Sequence, residues 1–187
     1  MLPTIPSGGT ALLDVRSLLS KLNVHDGNIV ADLGCGGGGY LVAAAAHMVG
    51  PKGLVYAVDV QKFVLDAIDS KLKMEGLGNV RTVLADLERY GMAKIPNETC
   101  DVVIVLNMLF QNTKHSEIIR EANRMVRSGG KLAVVDWKVA PMPIGPDIKL
   151  RVSPDQIKSY ATAQGLAMAT EFNVGLYHYG LVFQKTV

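Results

Sequence analysis

The chain has 187 residues, 49% of them hydrophobic and 19% charged, with a net charge of +2. That length gives one domain with room for a proper core, so residues 1–187 are read as a single domain. The near-neutral balance lacks the basic stripe of a dedicated nucleic-acid binder. The longest apolar run, Leu41 to Val49, contains His47 and is too short to span a bilayer. Met1 to Ser7 carries no basic n-region and so does not read as a signal peptide. A cytoplasmic location is expected, with the chain acting as a monomer or homodimer. The two cysteines, Cys35 and Cys100, have no metal-ligand spacing between them, and a disulfide is not expected in a reducing compartment.

In chain order, Thr10 to Leu22 reads as a helix, with Leu12, Leu13, Val15, Leu18, Leu19 and Leu22 forming its apolar stripe. An apolar strand (Ile29, Val30, Ala31) stops at Asp32, and glycines follow at 34, 36, 37, 38 and 39. A helix runs from about Gly39 to Met48, and Gly50-Pro51-Lys52-Gly53 forms a turn. Gly53 to Val58 is a buried strand ending at Asp59. Gln61 to Glu75 is a helix stopped by Gly76 and Gly78. A third strand, Val80 to Ala85, ends at Asp86-Leu87, and a fourth, Asp101 to Leu106, at Asn107-Met108-Leu109-Phe110. The spacing predicts a helix over Thr113 to Val126, ended by Ser128-Gly129-Gly130, and a fifth strand over Lys131 to Val135, with Asp136 closing it. A loop with Pro141, Pro143, Gly145 and Pro146 precedes a helix that Ser153 caps, with Pro154 in its first turn and Gln156 completing a capping box. Two last strands, Met168 to Val174 and Tyr179 to Lys185, are separated by Gly175. Alternation of strands and helices argues for a parallel sheet built from βαβ units.

The stretch from Val30 to Tyr40 is the most informative. A buried strand that breaks into glycines before a helix brings bare backbone amides close to a nucleotide-like ligand. Gly34, Gly36 and Gly39 satisfy G-x-G-x-x-G, the dinucleotide fingerprint. Asp32, Gly34, Gly36 and Gly38 equally satisfy D-x-G-x-G-x-G. Asp59, about 20 residues beyond the glycines, is placed to accept both ribose hydroxyls, which either cofactor class requires. Five glycines in six residues would be an entropically costly way to build a plain turn.

The D-x-G-x-G-x-G pattern resembles the first motif of the class I S-adenosylmethionine-dependent methyltransferases. Further phrases resemble their type 11 group, similar to the ubiquinone/menaquinone-biosynthesis methyltransferases: Val30-Ala-Asp-Leu-Gly-Cys-Gly, Val55-Tyr-Ala-Val-Asp-Val-Gln, Ile119-Arg-Glu-Ala-Asn-Arg-Met-Val-Arg-Ser-Gly-Gly and Val135-Asp-Trp-Lys. The resemblance covers about residues 10 to 187. It implies an α/β, Rossmann-like, seven-stranded sheet with helices on both faces and a reversed C-terminal strand. It also implies S-adenosyl-L-methionine as cofactor. Its methionine end would lie against Asp32, Gly34, Cys35, Gly36, Gly38 and Tyr40, its ribose against Asp59 and Val60, its adenine against Asp86 and Leu87, and its methionyl amine against Asn107. A small-molecule methyl acceptor is expected.

Candidate general bases at the same sheet edge are Asp136, His178 and His115. Trp137 and Phe110 are candidate walls of the acceptor pocket. Where related members often carry a histidine after the phenylalanine, Gln111 stands here. Met1 to Gly9 and the loop Lys138 to Val152 are the two segments long enough to form a lid, and Lys138, Lys149 and Arg151 are the loop's candidates for an anionic group. A nicotinamide-dependent oxidoreductase, an RNA or protein methyltransferase and a non-catalytic partner on the same fold are the alternatives. The acid at 86 and the terminal strand pair weigh against the first. The low net charge weighs against RNA, and the intact glycine loop weighs against the scaffold.

Overall fold

The computed structural model describes residues 13–186. Its elements are α1 (Val15–Lys21), β1 (Ile29–Leu33), α2 (Tyr40–Val49), β2 (Leu54–Asp59), α3 (Lys62–Met74), β3 (Val80–Leu84), β4 (Cys100–Leu106), α4 (His115–Met125), β5 (Val126–Trp137), α5 (Pro154–Ala163), β6 (Leu166–Val174) and β7 (His178–Lys185). Short 3-10 turns over Leu109–Gln111 and Ile148–Leu150 follow β4 and precede α5. The strands form one sheet in the order β3-β2-β1-β4-β5-β7-β6. β7 runs antiparallel to both of its neighbours, and the pairs among β1 to β5 are all parallel. The expected Rossmann-like sheet with a reversed C-terminal strand is what the chain forms.

Strand periodicity divides the core into two layers. Ala31 and Leu33 of β1, with Val103 and Val105 of β4, pack against Ile118, Ala122 and Met125 of α4 and Ile157 of α5. Val30, Val102 and Ile104 point the other way, onto Leu18 and Leu19 of α1, the alanine-rich α2 and Val64 and Ile68 of α3. The central strands are apolar on both faces, as a sheet covered by helices on both sides requires.

Several boundaries differ from the sequence expectation, each for a local reason. Asp14 caps α1 by accepting from the Ser17 N–H at 3.0 Å, and the expected Thr10 start lies outside the described residues, as does the Met1–Gly9 lid segment. α4 ends at Met125, because Val126 already pairs with Cys100 in the sheet. The register then jumps to Val102↔Lys131, so Ser128-Gly129-Gly130 form a bulge within β5 instead of a helix stop. β5 also runs on to Trp137, placing Asp136 inside the strand, opposite Tyr179. Ser153 caps α5 as expected, accepting from the Gln156 N–H, but the Gln156 side chain does not complete the box. Its amide donates to the Tyr160 hydroxyl at 2.8 Å.

The loop between β5 and α5 is organised by one side chain. The Arg151 guanidinium donates to the carbonyls of Lys138, Ala140, Ile144 and Pro146 at 2.7–3.3 Å. Arg151 is half-buried and its donors are taken by the strap's own carbonyls, so it is not the free cation for an anionic group that the sequence offered. Lys138 donates to the Leu176 carbonyl at 3.0 Å, tying the start of this strap to the β6–β7 turn. Replacing Arg151 with Met keeps the stem and deletes the clasp. Global stability is expected to fall by about 2 kcal/mol, as for losing hydrogen bonds made by a charged group, with faster amide exchange over residues 138–150 than elsewhere.

Candidate active site

The parallel strands place the ends of β1, β2, β3, β4 and β5 at one edge, and antiparallel β7 starts there, His178 pairing with Trp137. Ligands of open α/β sheets bind beyond this carboxyl edge.

The glycine loop is pinned to β2. The N–H groups of Gly34 and Cys35 both donate to the Val58 carbonyl, at 2.8 and 3.0 Å, and the Gly36 N–H donates to Asp59 Oδ2 at 3.1 Å. These amides are spent inside the protein, so the expectation of bare amides facing a ligand does not hold for residues 34–36. What the loop offers instead is room. Gly36 has φ +62°, a conformation that L side chains rarely adopt, and a Cβ there would project into open space. Gly34 (φ +75°) is needed on its inner side, where a Cβ would come within 2.8 Å of Met108 Sδ. Cys35 is half-buried, and burial pushes its thiol far above the usual range, which makes it an inert filler of the loop.

Three polar side chains in the site are buried or nearly so. Asp32 is 2% exposed, its Oδ1 has no hydrogen-bond partner, and burial, helped by the charge of Asp59, pushes its carboxyl up to about 8. Asn107 has φ +51°, a strained conformation for a non-glycine residue. Its N–H donates to the Val135 carbonyl, while both its side-chain atoms are buried without partners. Asp59 is satisfied within the protein: Oδ1 accepts from the Gln61 N–H at 2.9 Å and Oδ2 from Gly36. Each carboxylate oxygen retains a lone pair for a further donor.

The remaining predicted cofactor positions fall around these. Tyr40 is 53% exposed and does not pack into the core. Its ring lies where a Gly38 Cβ would be, beneath the Lys71 ammonium at 4.7 Å, and Lys71 also donates to the Gly38 carbonyl. Val60 presents an exposed apolar side chain beside Asp59. Asp86 is half-buried and lies two residues beyond β3, where its Oδ1 accepts from the Glu88 N–H. The Leu87 side chain is in the core, which leaves only its backbone for a ligand.

Of the three candidate bases, Asp136 and His178 sit deeper. Asp136 is fully buried, its Oδ2 accepting from the Leu109 N–H at 3.1 Å and its Oδ1 from the Trp137 N–H at 2.8 Å. Burial pushes it up to about 7, against those two hydrogen bonds. Both oxygens hold backbone, and one of them fixes the turn that follows Asn107. His115 pins the other side of that turn: its Nε2 lies 3.0 and 2.8 Å from the carbonyls of Leu109 and Asn112, which can only accept, so this nitrogen carries the proton. His178 is 1% exposed, its ring 4.2 Å from that of Trp137, and its Nε2 has no partner. Burial lowers it to about 4, with the positive charges of Lys138 and Arg151 acting in the same direction, so it is neutral at pH 7. Phe110 is half-buried, on the pinned turn.

Sequence reasoning missed Lys71, Met108 and Arg151 as organisers of this edge. Each acts on backbone or on a glycine through a distant element, and no local pattern signals that.

A sheet with β7 alone reversed, a glycine cradle after β1 and acids at or just past the ends of β1, β2 and β3 together define the class I S-adenosylmethionine-dependent methyltransferase architecture. A family model described as a methyltransferase domain matches residues 30–130, more than half of the chain. The ubiquinone/menaquinone biosynthesis C-methyltransferase of Marinomonas sp. strain MWYL1 is 31% identical over 132 residues, covering 70% of this chain and 51% of that protein. Its counterpart from Pseudomonas putida is 33% identical over 132 residues, covering 70% and 50%. The chain spans about half the length of the curated relatives it matches. A SAM-dependent methyltransferase from Aquifex aeolicus superposes with a TM-score of 0.84 at 24% identity, over 95% of this chain and 93% of that one. A putative type 11 methyltransferase from Sulfolobus solfataricus gives 0.73 at 21% identity, over 91% and 90%. The chain belongs to the class I S-adenosylmethionine-dependent methyltransferase family. The cofactor of that family is S-adenosylmethionine, and the residues present suit it: open space over Gly36, a carboxylate at Asp59 with lone pairs to spare, and unpartnered Asp32 and Asn107 for a ligand amine.

Proposed function

We propose that the chain transfers a methyl group from S-adenosylmethionine to a small-molecule acceptor at the carboxyl edge of the sheet. The observation that carries this reading is the pair of buried, partnerless groups, Asp32 Oδ1 and the Asn107 amide, beside a glycine whose missing side chain leaves space. Buried polar groups are rarely left unpaired without a ligand, ion or water to meet them. Asp32 and Asn107 hold the cofactor's ammonium, Gly34, Cys35, Gly36 and Gly38 shape the loop around its methionine part, and Tyr40 covers it. Asp59 accepts from the ribose, Val60 lies against the adenosine, and Asp86 with the Leu87 backbone meets the adenine. When bound, the cofactor supplies a methyl group already activated on a sulfonium.

The chain's own task is orientation, since holding two reactants collinear and close can supply several kcal/mol. Asp136 is a positioning residue in this scheme. With His115 it clamps the Leu109–Gln111 turn, and so fixes Asn107 and Phe110.

A small acceptor is supported by the low net charge and by relatives named for quinone biosynthesis. We read residues 1–187 as one catalytic domain, acting in the cytoplasm as a monomer or homodimer. Among the described residues no helix is long and apolar enough to cross a membrane.

Calorimetry with S-adenosylhomocysteine tests the assignment. The native chain is expected to bind it at a 1:1 ratio. Asp59→Asn keeps one acceptor oxygen but loses the charge-assisted bonds, and is expected to weaken binding about tenfold. No binding by the native chain, or an unchanged affinity in the variant, overturns the ribose assignment. Thermal stabilisation by a nicotinamide dinucleotide but not by S-adenosylhomocysteine would overturn the whole reading.

A further inference from the structure

Trp137 and His178 form a second pair of partnerless groups at the same edge, on the neighbouring strands β5 and β7. Trp137 ends β5, His178 begins β7, and the two are paired across the sheet. Both are buried, at 2% and 1% exposure. Their rings stack at 4.2 Å between centroids, tilted by 44°. Trp137 Nε1 and His178 Nε2 are both buried, and neither has a hydrogen-bond partner. An indole N–H can only donate, and leaving it unpaired away from water costs free energy. A buried indole N–H usually finds a hydrogen-bond partner.

The strap closes over this pair. A Cβ on Gly145 would come 2.7 Å from the Trp137 six-membered ring, and the Arg151 guanidinium stands 6.0 Å from its centroid. Gly145 and Arg151 also line a cavity of about 390 Å³ within the strap, whose other walls include Met142, Ile144 and Ile148. Gly145 separates this cavity from the benzo edge of the Trp137 ring, and neither Trp137 nor His178 lines it.

We infer that Trp137 Nε1–H and His178 Nε2 form the recognition point for the methyl acceptor, gripping an oxygen of it, hydroxyl or carboxylate, beneath the 138–152 strap. The inference rests on the methyl-transfer reading and names the acceptor chemistry that the same edge selects. The indole donates to the oxygen. A hydroxyl in turn donates to the imidazole nitrogen, whereas a carboxylate accepts from it when the ring carries its proton on Nε2. Apolar strap side chains would cover the remainder of a hydrocarbon acceptor.

Trp137 is the one tryptophan in the sequence, so a single indole N–H resonance reports directly on this point. The full chain, saturated with S-adenosylhomocysteine, is titrated in turn with phenol, benzoate and toluene while that resonance is followed. Phenol or benzoate is expected to move it downfield in a saturable way, and toluene, of similar shape but without oxygen, is expected to leave it in place. Movement by phenol alone assigns a hydroxyl, and movement by benzoate assigns a carboxylate. His178→Leu is expected to weaken the active probe about fivefold, as for losing one neutral hydrogen bond, and His178→Gln to recover part of that loss. The inference is overturned if neither oxygenated probe moves the resonance, if toluene moves it equally, or if a probe binds without moving it. S-adenosylhomocysteine binding in the same samples separates the two proposals: a silent indole with an intact cofactor site removes only the acceptor assignment.

Discussion

Gly36→Val is expected to abolish measurable binding of S-adenosylhomocysteine, a loss exceeding a thousandfold, while the chain still folds. Two effects combine at this position. The backbone sits at φ +62°, which a β-branched residue adopts only with strain. The added side chain meets nothing in the protein, since no atom lies within 4 Å of its Cβ, so it extends into the space the cofactor needs. The strain term destabilises by about 1–2 kcal/mol, and the steric term falls on the ligand. Gly37, also with open space at its Cβ but without positive φ, is the control: Gly37→Ala should leave the melting temperature nearly unchanged. Isothermal calorimetry with a parallel thermal melt reads both terms. A Gly36→Val protein that melts normally and binds with native affinity would mean that the loop faces something other than the cofactor.

Much of this architecture can be read from the sequence because the strands are buried on both faces. Val30, Val102 to Val105 and Leu132 to Val135 lie in continuous apolar runs, and turn residues punctuate them. Asp32, Asp59 and Asn107 are legible for a related reason: a polar residue that abruptly ends such a run belongs at a strand end. β5 breaks the rule. Asp136 and Trp137 belong to the strand, because antiparallel β7 supplies partners opposite them as far as His178, and no local pattern reveals a pairing contributed some forty residues later. The Gly129-Gly130 bulge was hidden for a similar reason, since its function as a bulge depends on the register against β4. The state of the glycine-loop amides was equally invisible. Whether Gly34 and Cys35 donate to a ligand or to Val58 depends on how closely β2 approaches, which is a tertiary distance. Arg151 is the clearest such case. In sequence it is one cation among several in a loop, and in the fold it holds four carbonyls at once.

The affinity for S-adenosylhomocysteine is expected to climb steeply with pH, about tenfold per unit from pH 6 to near 8, and then level off. Asp32 is the cause. It is buried without a partner on Oδ1, and burial together with the nearby Asp59 charge raises its carboxyl from 3.8 to about 8 in the ligand-free chain. Between those values the folded state binds a proton that the unfolded state has released. Asp32 therefore makes the free protein less stable as pH rises through that window. An ammonium placed against the carboxylate reverses the preference, because the charged form gains a partner. Binding must then expel the proton, and each pH unit below the carboxyl's own value costs about 1.4 kcal/mol of affinity. Calorimetry in two buffers of different ionisation heat would show close to one proton released per ligand at pH 6.5 and almost none at pH 9. Asp32→Asn fixes the uncharged state, so it should bind weakly at every pH and release no proton. A native chain whose affinity is flat from pH 6 to 8 would remove Asp32 from the ammonium site and leave the Asn107 amide as its remaining partnerless neighbour.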